Sequence, residues 1–194
     1  MYLLALMLAF VTLPGCMIVR EGKVKPPVPW PPAQTQDKKS LAISVAGLPN
    51  PKGAHQLPRP EAIQVAGEQA LRAYSESGLF SSVVVTDEPT DLRADIGVIE
   101  DGTDGIGVSG YLSALTFTVI PGYVSEKVLV KTSLSDRSKK VVGAIDREEE
   151  QGSWIQLFLL FSMPFTSSSR EVSESIFYDI HRSTIEEAHG KGMF

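Results

Sequence analysis

The chain predicts an α/β (α+β) fold: a mixed sheet of about five to six strands with two main helices, in the order β-α-β-β-(β)-β-β-α. Three observations predict it. Apolar residues alternate in several short segments, the period of a half-buried strand. Two longer segments carry apolar residues at helical spacing, between residues suited to helix ends. Finally, 194 residues at 43% apolar and 21% charged suit one domain. That is too short for two large domains and too apolar for a disordered chain.

The N-terminus carries the most specific signal. Residues 2–13 read Tyr-Leu-Leu-Ala-Leu-Met-Leu-Ala-Phe-Val-Thr-Leu, and no charge occurs before Arg20. Such a run has the length of the hydrophobic region of an export signal. Leu13-Pro14-Gly15-Cys16 follows at once and contains the chain's single cysteine. This pattern resembles the lipobox of bacterial lipoproteins. In that family the signal is cleaved before the cysteine, whose thiol is diacylated and whose new amine is acylated. The resemblance makes Cys16 residue one of the mature protein. Met17 follows it where an Asp would favour inner-membrane retention, which points to the outer membrane, lipid-anchored and facing the periplasm. Three acyl chains would make the attachment effectively permanent. The rival reading is an uncleaved helix over residues 1–19, about the length that spans a bilayer. Arg20, Lys23 and Lys25 would then hold the chain on the cytoplasmic side of the inner membrane.

Residues 23–36 contain five prolines around Trp30. Proline fixes φ and removes an amide donor, so this stretch predicts extended polyproline II. Fully extended, residues 17–39 would reach on the order of 70 Å. The expectation is a spacer, with a ligand for an aromatic groove anchored by Trp30 as the other reading. The domain plan is therefore 1–15 signal peptide, 16–39 lipidated cysteine and tether, and 40–194 one periplasmic domain.

Leu41, Ile43 and Val45 alternate along a first strand, which Gly47-Leu48-Pro49-Asn50-Pro51 stops. Arg59-Pro60-Glu61 opens a helix carrying Ile63, Ala66, Ala70 and Tyr74, with Gly78 at its C-terminal cap. Residues 80–86 form a second strand, and Ala94, Ile96 and Val98 alternate along a third. The bracketed strand covers the apolar run ending at Pro121. Val128, Val130, Thr132 and Leu134 mark the next strand. Ser135-Asp136-Arg137-Ser138 is a turn, and Val141 begins the returning strand. Ser168-Ser169-Arg170-Glu171 has capping-box spacing, and Val172, Ile176, Ile180 and Ala188 stripe a last helix.

Ser77-Gly78-Leu79-Phe80-Ser81-Ser82-Val83 and Ala94-Asp95-Ile96-Gly97-Val98 resemble small envelope lipoproteins. Their α/β domain is similar to the N-terminal domain of TolB and the periplasmic domain of CsgG-type secretion lipoproteins. The likeness covers residues 41–100. Residues 112–121 and 154–165 also resemble uncharacterised proteobacterial lipoproteins with a Leu/Thr-rich run ending in Pro and a later Trp-Ile-x-Leu-Phe segment. Both resemblances imply an envelope location and no particular activity.

Charge is uneven. Residues 1–60 hold seven Lys/Arg and two acids, whereas residues 61–126 hold two Arg and eleven acids. A basic stretch beside an anchor suits anionic head groups, and an acidic whole argues against nucleic acid. One cysteine excludes a disulfide framework and a Cys-rich zinc site. Gly105-Ile106-Gly107-Val108-Ser109-Gly110 matches the dinucleotide fingerprint, but the β-branched residues after it do not predict the required helix. Asp101-Gly102-Thr103-Asp104-Gly105 lacks EF-hand spacing. Ser109 is not in a nucleophile elbow. His181 and His189 lie too far apart for one metal and read as rim histidines, and His55 has no identifiable partner. Arg147-Glu148-Glu149-Glu150 reads as a solvated hairpin end. No nucleophile, base and orienter come together, so no catalytic residue, metal or cofactor is expected.

The apolar run 154–165 remains, with Trp154, Leu157, Phe158, Phe161 and Phe165. It reads as buried strand, as a patch for a partner or lipid surface, or as a pore hairpin. The expected function is a non-enzymatic binding or assembly accessory of the envelope, with an envelope protein as partner. The alternative is a subunit of an oligomeric secretion or export complex; a periplasmic hydrolase ranks third.

Overall fold

The structure, a computed structural model, describes residues 15–34, 37–51, 56–86, 88–102, 108–116, 119–156 and 168–194. Among the described residues the sheet is mixed and six-stranded: β1 (Gly15–Arg20), β2 (Lys39–Gly47), β3 (Phe80–Val85), β4 (Leu92–Gly102), β5 (Gly122–Asp136) and β6 (Val141–Gln156) lie in the order β1-β6-β5-β4-β2-β3, with three helices. The chain divides into two units. The larger comprises Gly22–Asp101, Lys127–Glu149 and Ser173–Phe194; the smaller comprises Met1–Glu21, Gly102–Glu126 and Glu150–Val172.

The larger unit is built around β2 (Lys39–Gly47), which runs parallel to both β3 (Phe80–Val85) and β4 (Leu92–Gly102). Parallel neighbours need a crossover, and α1 (Pro60–Glu76) supplies the one between β2 and β3. The register sets Leu41 beside Leu92, Ile43 beside Ala94 and Val45 beside Ile96. The alternation read from the sequence therefore makes one continuous apolar face. That face meets α1: a Cβ on Gly67 would lie 3.8 Å from Val45, and one on Gly47 would lie 2.8 Å from Ile63. The opposite face carries Ser44, Asp95 and Gly97.

α1 begins with Pro60, whose missing amide costs nothing in a first turn, and buries Ala66, Ala70 and Tyr74 as expected. Gly78 follows its end at φ +65°, the left-handed conformation that glycine adopts freely. β5 (Gly122–Asp136) and β6 (Val141–Gln156) form a long hairpin. Asp136 organises its turn: one carboxylate oxygen accepts from the Ser138 and Lys140 amides at 2.8 and 3.0 Å and from the Ser138 hydroxyl at 2.6 Å. These bonds, the hydroxyl's above all, hold its carboxyl below the usual carboxylate range.

α3 (Ser169–Gly190) opens with the predicted capping box. The Ser168 amide donates to the Glu171 carboxylate at 2.8 Å, and the Glu171 amide donates to the Ser168 hydroxyl at 3.2 Å. Ile176, Phe177, Ile180 and Ile185 are buried along it.

Three expectations are corrected. Residues 15–20 form β1 (Gly15–Arg20), paired antiparallel with the end of β6, where the start of a free tether was expected. The bracketed strand is instead α2 (Val108–Leu115). Its apolar residues at 108, 111, 112 and 115 have helical spacing, and the β-branched residues that suggested a strand lie beyond its end. His181 is not a rim histidine. It is fully buried on α3, its Nε2 lies 3.1 Å from the Ala66 carbonyl, and its ring lies 6.3 Å from that of Tyr74.

Two measurements test this packing. Ser168→Ala should lower stability to urea by about 1 kcal/mol, the usual worth of an N-cap. Burial pushes the His181 pKa down from 6.5 to about 4. The unfolded chain then takes up this proton first, so stability is full above about pH 6.5 and falls as pH drops toward 4. Urea midpoints measured across that range should fall in the wild type, and His181→Gln should flatten the slope.

Candidate functional site

The proline-rich stretch is a bound strap. Glu149 of β6 is 1% exposed, and its two carboxylate oxygens accept from the Lys23 and Val24 amides at 2.9 and 3.0 Å. Prolines leave few donors here, and these two amides are adjacent. Further along, the Pro27 carbonyl accepts from Arg182 of α3 at 3.1 Å, and the same guanidinium lies 4.8 Å from the centre of the Trp30 ring. The Gln34 amide donates to the Ser77 carbonyl at 3.1 Å. Val24 and Pro27 are buried. Trp30 thus anchors the strap to its own domain, and neither a free spacer nor a ligand for a foreign groove describes residues 22–34. Nor is the 147–150 run a solvated hairpin end. It lies within β6, where Arg147 donates to Ser183 at 3.0 Å and pairs with Glu187.

In the smaller unit, β1 and β6 pair with Cys16 opposite Ile155, Met17 opposite Trp154 and Val19 opposite Gly152. Directly opposed residues share a face, so Met17, Val19 and Trp154 do. Trp154 is 40% exposed, and the Tyr123 ring of β5 lies 4.9 Å from it, tilted. Tyr123 can lie there because residue 152 is glycine: a Cβ would come within 2.5 Å of the phenol oxygen. The Tyr123 hydroxyl donates to Glu21 at 2.9 Å, which raises its pKa above the ordinary value.

Helix α2 has inverted polarity. Its buried residues are the small Gly110 and Ser113, seated against Gly122, where a Cβ would meet Ser113 at 2.9 Å and Gly110 at 3.6 Å. Its large residues face out: Val108, Tyr111, Leu112 and Leu115 are between 45% and 78% exposed. These positions lie at i, i+3, i+4 and i+7, so they form one stripe. Val119 and Ile120, just beyond, are also exposed. The Ser109 hydroxyl donates to the Tyr123 carbonyl at 3.3 Å, which places Tyr123 in contact with both Trp154 and α2.

The three segments of this unit coincide with three uncharged stretches, residues 1–19, 105–125 and 151–169. Its described charges, such as Glu21, Glu126 and Arg170, lie at or beyond the ends of those stretches. The larger unit offers a different surface. On the sheet face away from α1, Ser44, Asp95, Lys131, Ser133 and Asp146 line an open cleft of ≈ 450 Å³. Leu48, Ile96 and Ala144 also line it, so its wall is largely apolar with charged groups among the apolar ones.

No family model matches this chain, and no curated protein matches it. Among solved structures it is similar to a PelC dodecamer from Paraburkholderia phytofirmans, at 13% identity and TM-score 0.39. That match covers 88% of this chain and 96% of that one. It is also similar to a neuraminyllactose-binding hemagglutinin homologue from Helicobacter pylori, at 11% identity and TM-score 0.43, covering 84% of this chain and 97% of that one. A PDZ domain protein from Parabacteroides distasonis matches at 12% identity and TM-score 0.33, over 90% of this chain and 37% of that one. Similarity this low assigns neither an activity nor a partner.

Of the site residues expected from sequence, Trp154 lies on the exposed aromatic face, and the Cys16 backbone lies in β1. Leu157, Phe158, Phe161 and Phe165 lie outside the described residues, as do His55 and the glycines of the fingerprint before Val108. A helix does follow those glycines, contrary to expectation. It turns its apolar side outward, whereas a dinucleotide-binding helix packs that side on its sheet. Asp101 accepts a hydrogen bond from Asn50 at 2.8 Å. His189 stacks on Phe194, with ring centres 6.0 Å apart. Among the described residues, no group of three or more His, Cys, Asp and Glu could hold a metal ion. No described helix is long and apolar enough to cross a membrane.

Sequence reasoning missed Glu149 and the α2 stripe. The stripe was findable, since helical spacing at 108–115 was present, but its outward aspect was not. Glu149→Ala would remove the carboxylate to which the Lys23 and Val24 amides donate, at a cost of about 2–4 kcal/mol. Trypsin should cut the bond after Lys23 slowly in the wild type and at least about tenfold faster in Glu149→Ala, followed by mass spectrometry.

Proposed function

We propose that this protein is a lipid-anchored lipoprotein of the bacterial envelope that works by binding rather than by catalysis. Cys16 is the lipidated residue and the first of the mature chain. The outer membrane, facing the periplasm, is its site. An envelope protein is its partner, and the open cleft that Leu48, Ile96, Asp95, Lys131 and Asp146 line is the surface offered to that partner.

One observation carries the reading. The sequence Leu13-Pro14-Gly15-Cys16 leads into the same unit that gathers the uncharged stretches 105–125 and 151–169. A soluble domain with no such attachment gains nothing from a helix that turns four large apolar residues outward. The second reading, a subunit of an oligomeric export complex, draws on the same stripe, which a neighbouring copy could cover.

The test is intact mass on protein extracted from the membrane fraction, wild type beside Cys16→Ala. A chain beginning at Cys16 and carrying acyl mass, absent from the variant, is the expected result. A full-length, unacylated chain would overturn the anchor and restore residues 1–19 as an uncleaved helix.

A further inference from the structure

We infer that the outer edge of β3 pairs antiparallel with β3 of a second copy of this chain, about a two-fold axis through Val84. This goes beyond the proposed function and does not depend on lipidation at Cys16.

The sheet order ends at β3, and among the described residues no strand lies beyond it. Successive residues of a strand turn their N–H and C=O groups to alternate sides, so about half of those in β3 face away from β2. Such an edge is a template for another strand, and proteins blunt it with lysine, proline, a bulge or cover. The start of β3 has two of these devices. Its register against β2 shifts between Phe80 and Ser82, and the Phe194 ring lies 4.9 Å from that of Phe80. From Ser82 onward the register is regular. No Lys, Arg, Asp, Glu or Pro occurs from Ser77 to Thr86. Val84 and Val85 are 40% and 67% exposed.

The order of the residues names the occupant. Ser82-Val83-Val84-Val85-Thr86 reads nearly the same in both directions about Val84. Antiparallel pairing on an axis through Val84 opposes Val84 with its own copy, Val83 with Val85, and Ser82 with Thr86. Leu41 lies beside Val83 and Ile43 beside Val85, so these two valines share the face that meets α1. The pairing sets both valines of each copy together on that face, and Val84 against Val84 on the other. β-branched side chains pack well on a pleated surface. At each end a hydroxyl meets a hydroxyl, a cross-strand pair that hydrogen-bonds. The Thr86 hydroxyl accepts from the Glu88 amide at 3.1 Å and keeps its own proton to donate.

Opposed residues share a face, so the axis passes through a residue and not between two. Moving it to Val83 would draw Ser81, at the register shift, into the ladder. Moving it to Val85 would oppose Val84 with Thr86 and lose the pairing of Val83. A foreign strand is selected by charges or side-chain pockets along the edge, and Ser82 to Thr86 carries no charge to select one. Self-pairing opposes a strand with its own residues, where any charge would lie close to its like; a neutral palindrome has no such penalty. The contact is isologous and closes at two chains. The edge is short, so the dimer is weak and depends on concentration.

Residue 84 faces itself in this pairing, which supplies the test. Full-length wild type, Val84→Lys and Val84→Glu are compared by sedimentation velocity in a neutral detergent matched in density to the buffer. The wild type should pass from one chain to two as its concentration rises through about 10–100 μM. Either variant alone opposes like charges and should weaken the dimer at least about tenfold, whereas an equimolar mixture opposes Lys with Glu and should restore it. Urea midpoints check that both variants fold. A second pair changes no valine: Ser82→Lys/Thr86→Lys should dissociate the dimer, and Ser82→Lys/Thr86→Glu should keep it. A wild type that remains one chain at about 500 μM would overturn the pairing. A dimer that the Val84 variants leave intact would also overturn it, by placing the contact elsewhere. So would folded Val84 variants that stay apart when mixed. Intact mass reads acylation at Cys16 separately, so failure of the anchor leaves this result standing.

Discussion

The carboxylate of Glu149 is the constraint that holds the proline-rich strap to the rest of the molecule. Burying a charge costs several kcal/mol unless hydrogen bonds replace water. Here two consecutive amides do so, those of Lys23 and Val24. Hydrogen bonds to a charged acceptor are worth about 1.5–3 kcal/mol each. The exchange is mutual, since the strap has few other donors and Glu149 is buried. In the smaller unit the Glu21 amide donates to the Glu150 carbonyl at 3.0 Å. The Arg182 contacts at Pro27 and Trp30 then hold the rest of the proline run. A proline-rich segment has little conformational entropy to lose, which makes it inexpensive to fix in place.

What was legible in the sequence was local. The alternation at Leu41, Ile43 and Val45 named β2 because a strand shows its burial in its own residues. Pro60 and Gly78 bracketed α1 because helix ends have their own chemistry. Asp136 and Ser138 announced their turn, and Ser168 and Glu171 their capping box, because each pair lies within three residues. What was not legible depends on partners far along the chain. β1 is a strand only because the end of β6, more than a hundred residues later, pairs with it. Glu149 reads as one acid in a charged run until the strap's amides reach it. His181 has the composition of a rim residue until α1 covers it with Ala66 and Tyr74.

The candidate site divides in the same way. Trp154 could be singled out directly, because it opens a contiguous apolar run in the sequence. Helix α2 could not, because the usual inference runs from apolar residues to burial. In α2 the large residues are outside and the small ones inside, so composition gives the opposite answer to the structure. The β-branched residues at 118–120 reinforced the wrong period, since they suit a strand and lie immediately after the helix ends.

That inversion is a property of the backbone. Full burial of a leucine or valine is worth about 1.5–3 kcal/mol, so the valine and two leucines held outward, with Tyr111 beside them, forgo a large part of a small domain's stability. Rotating the helix to recover it is closed off. At Gly122 a Cβ would already lie 2.9 Å from Ser113, and a leucine in place of Ser113 would have nowhere to go without moving the helix from the sheet. The close approach of Gly110, Ser113 and Gly122 therefore commits the remaining side of α2 to the exterior. A fold that fixes an apolar surface so firmly gains from it only when something apolar lies against it. With Cys16 and Trp154 on neighbouring rungs of β1 and β6, an acyl chain on that cysteine would bring such a phase to this unit.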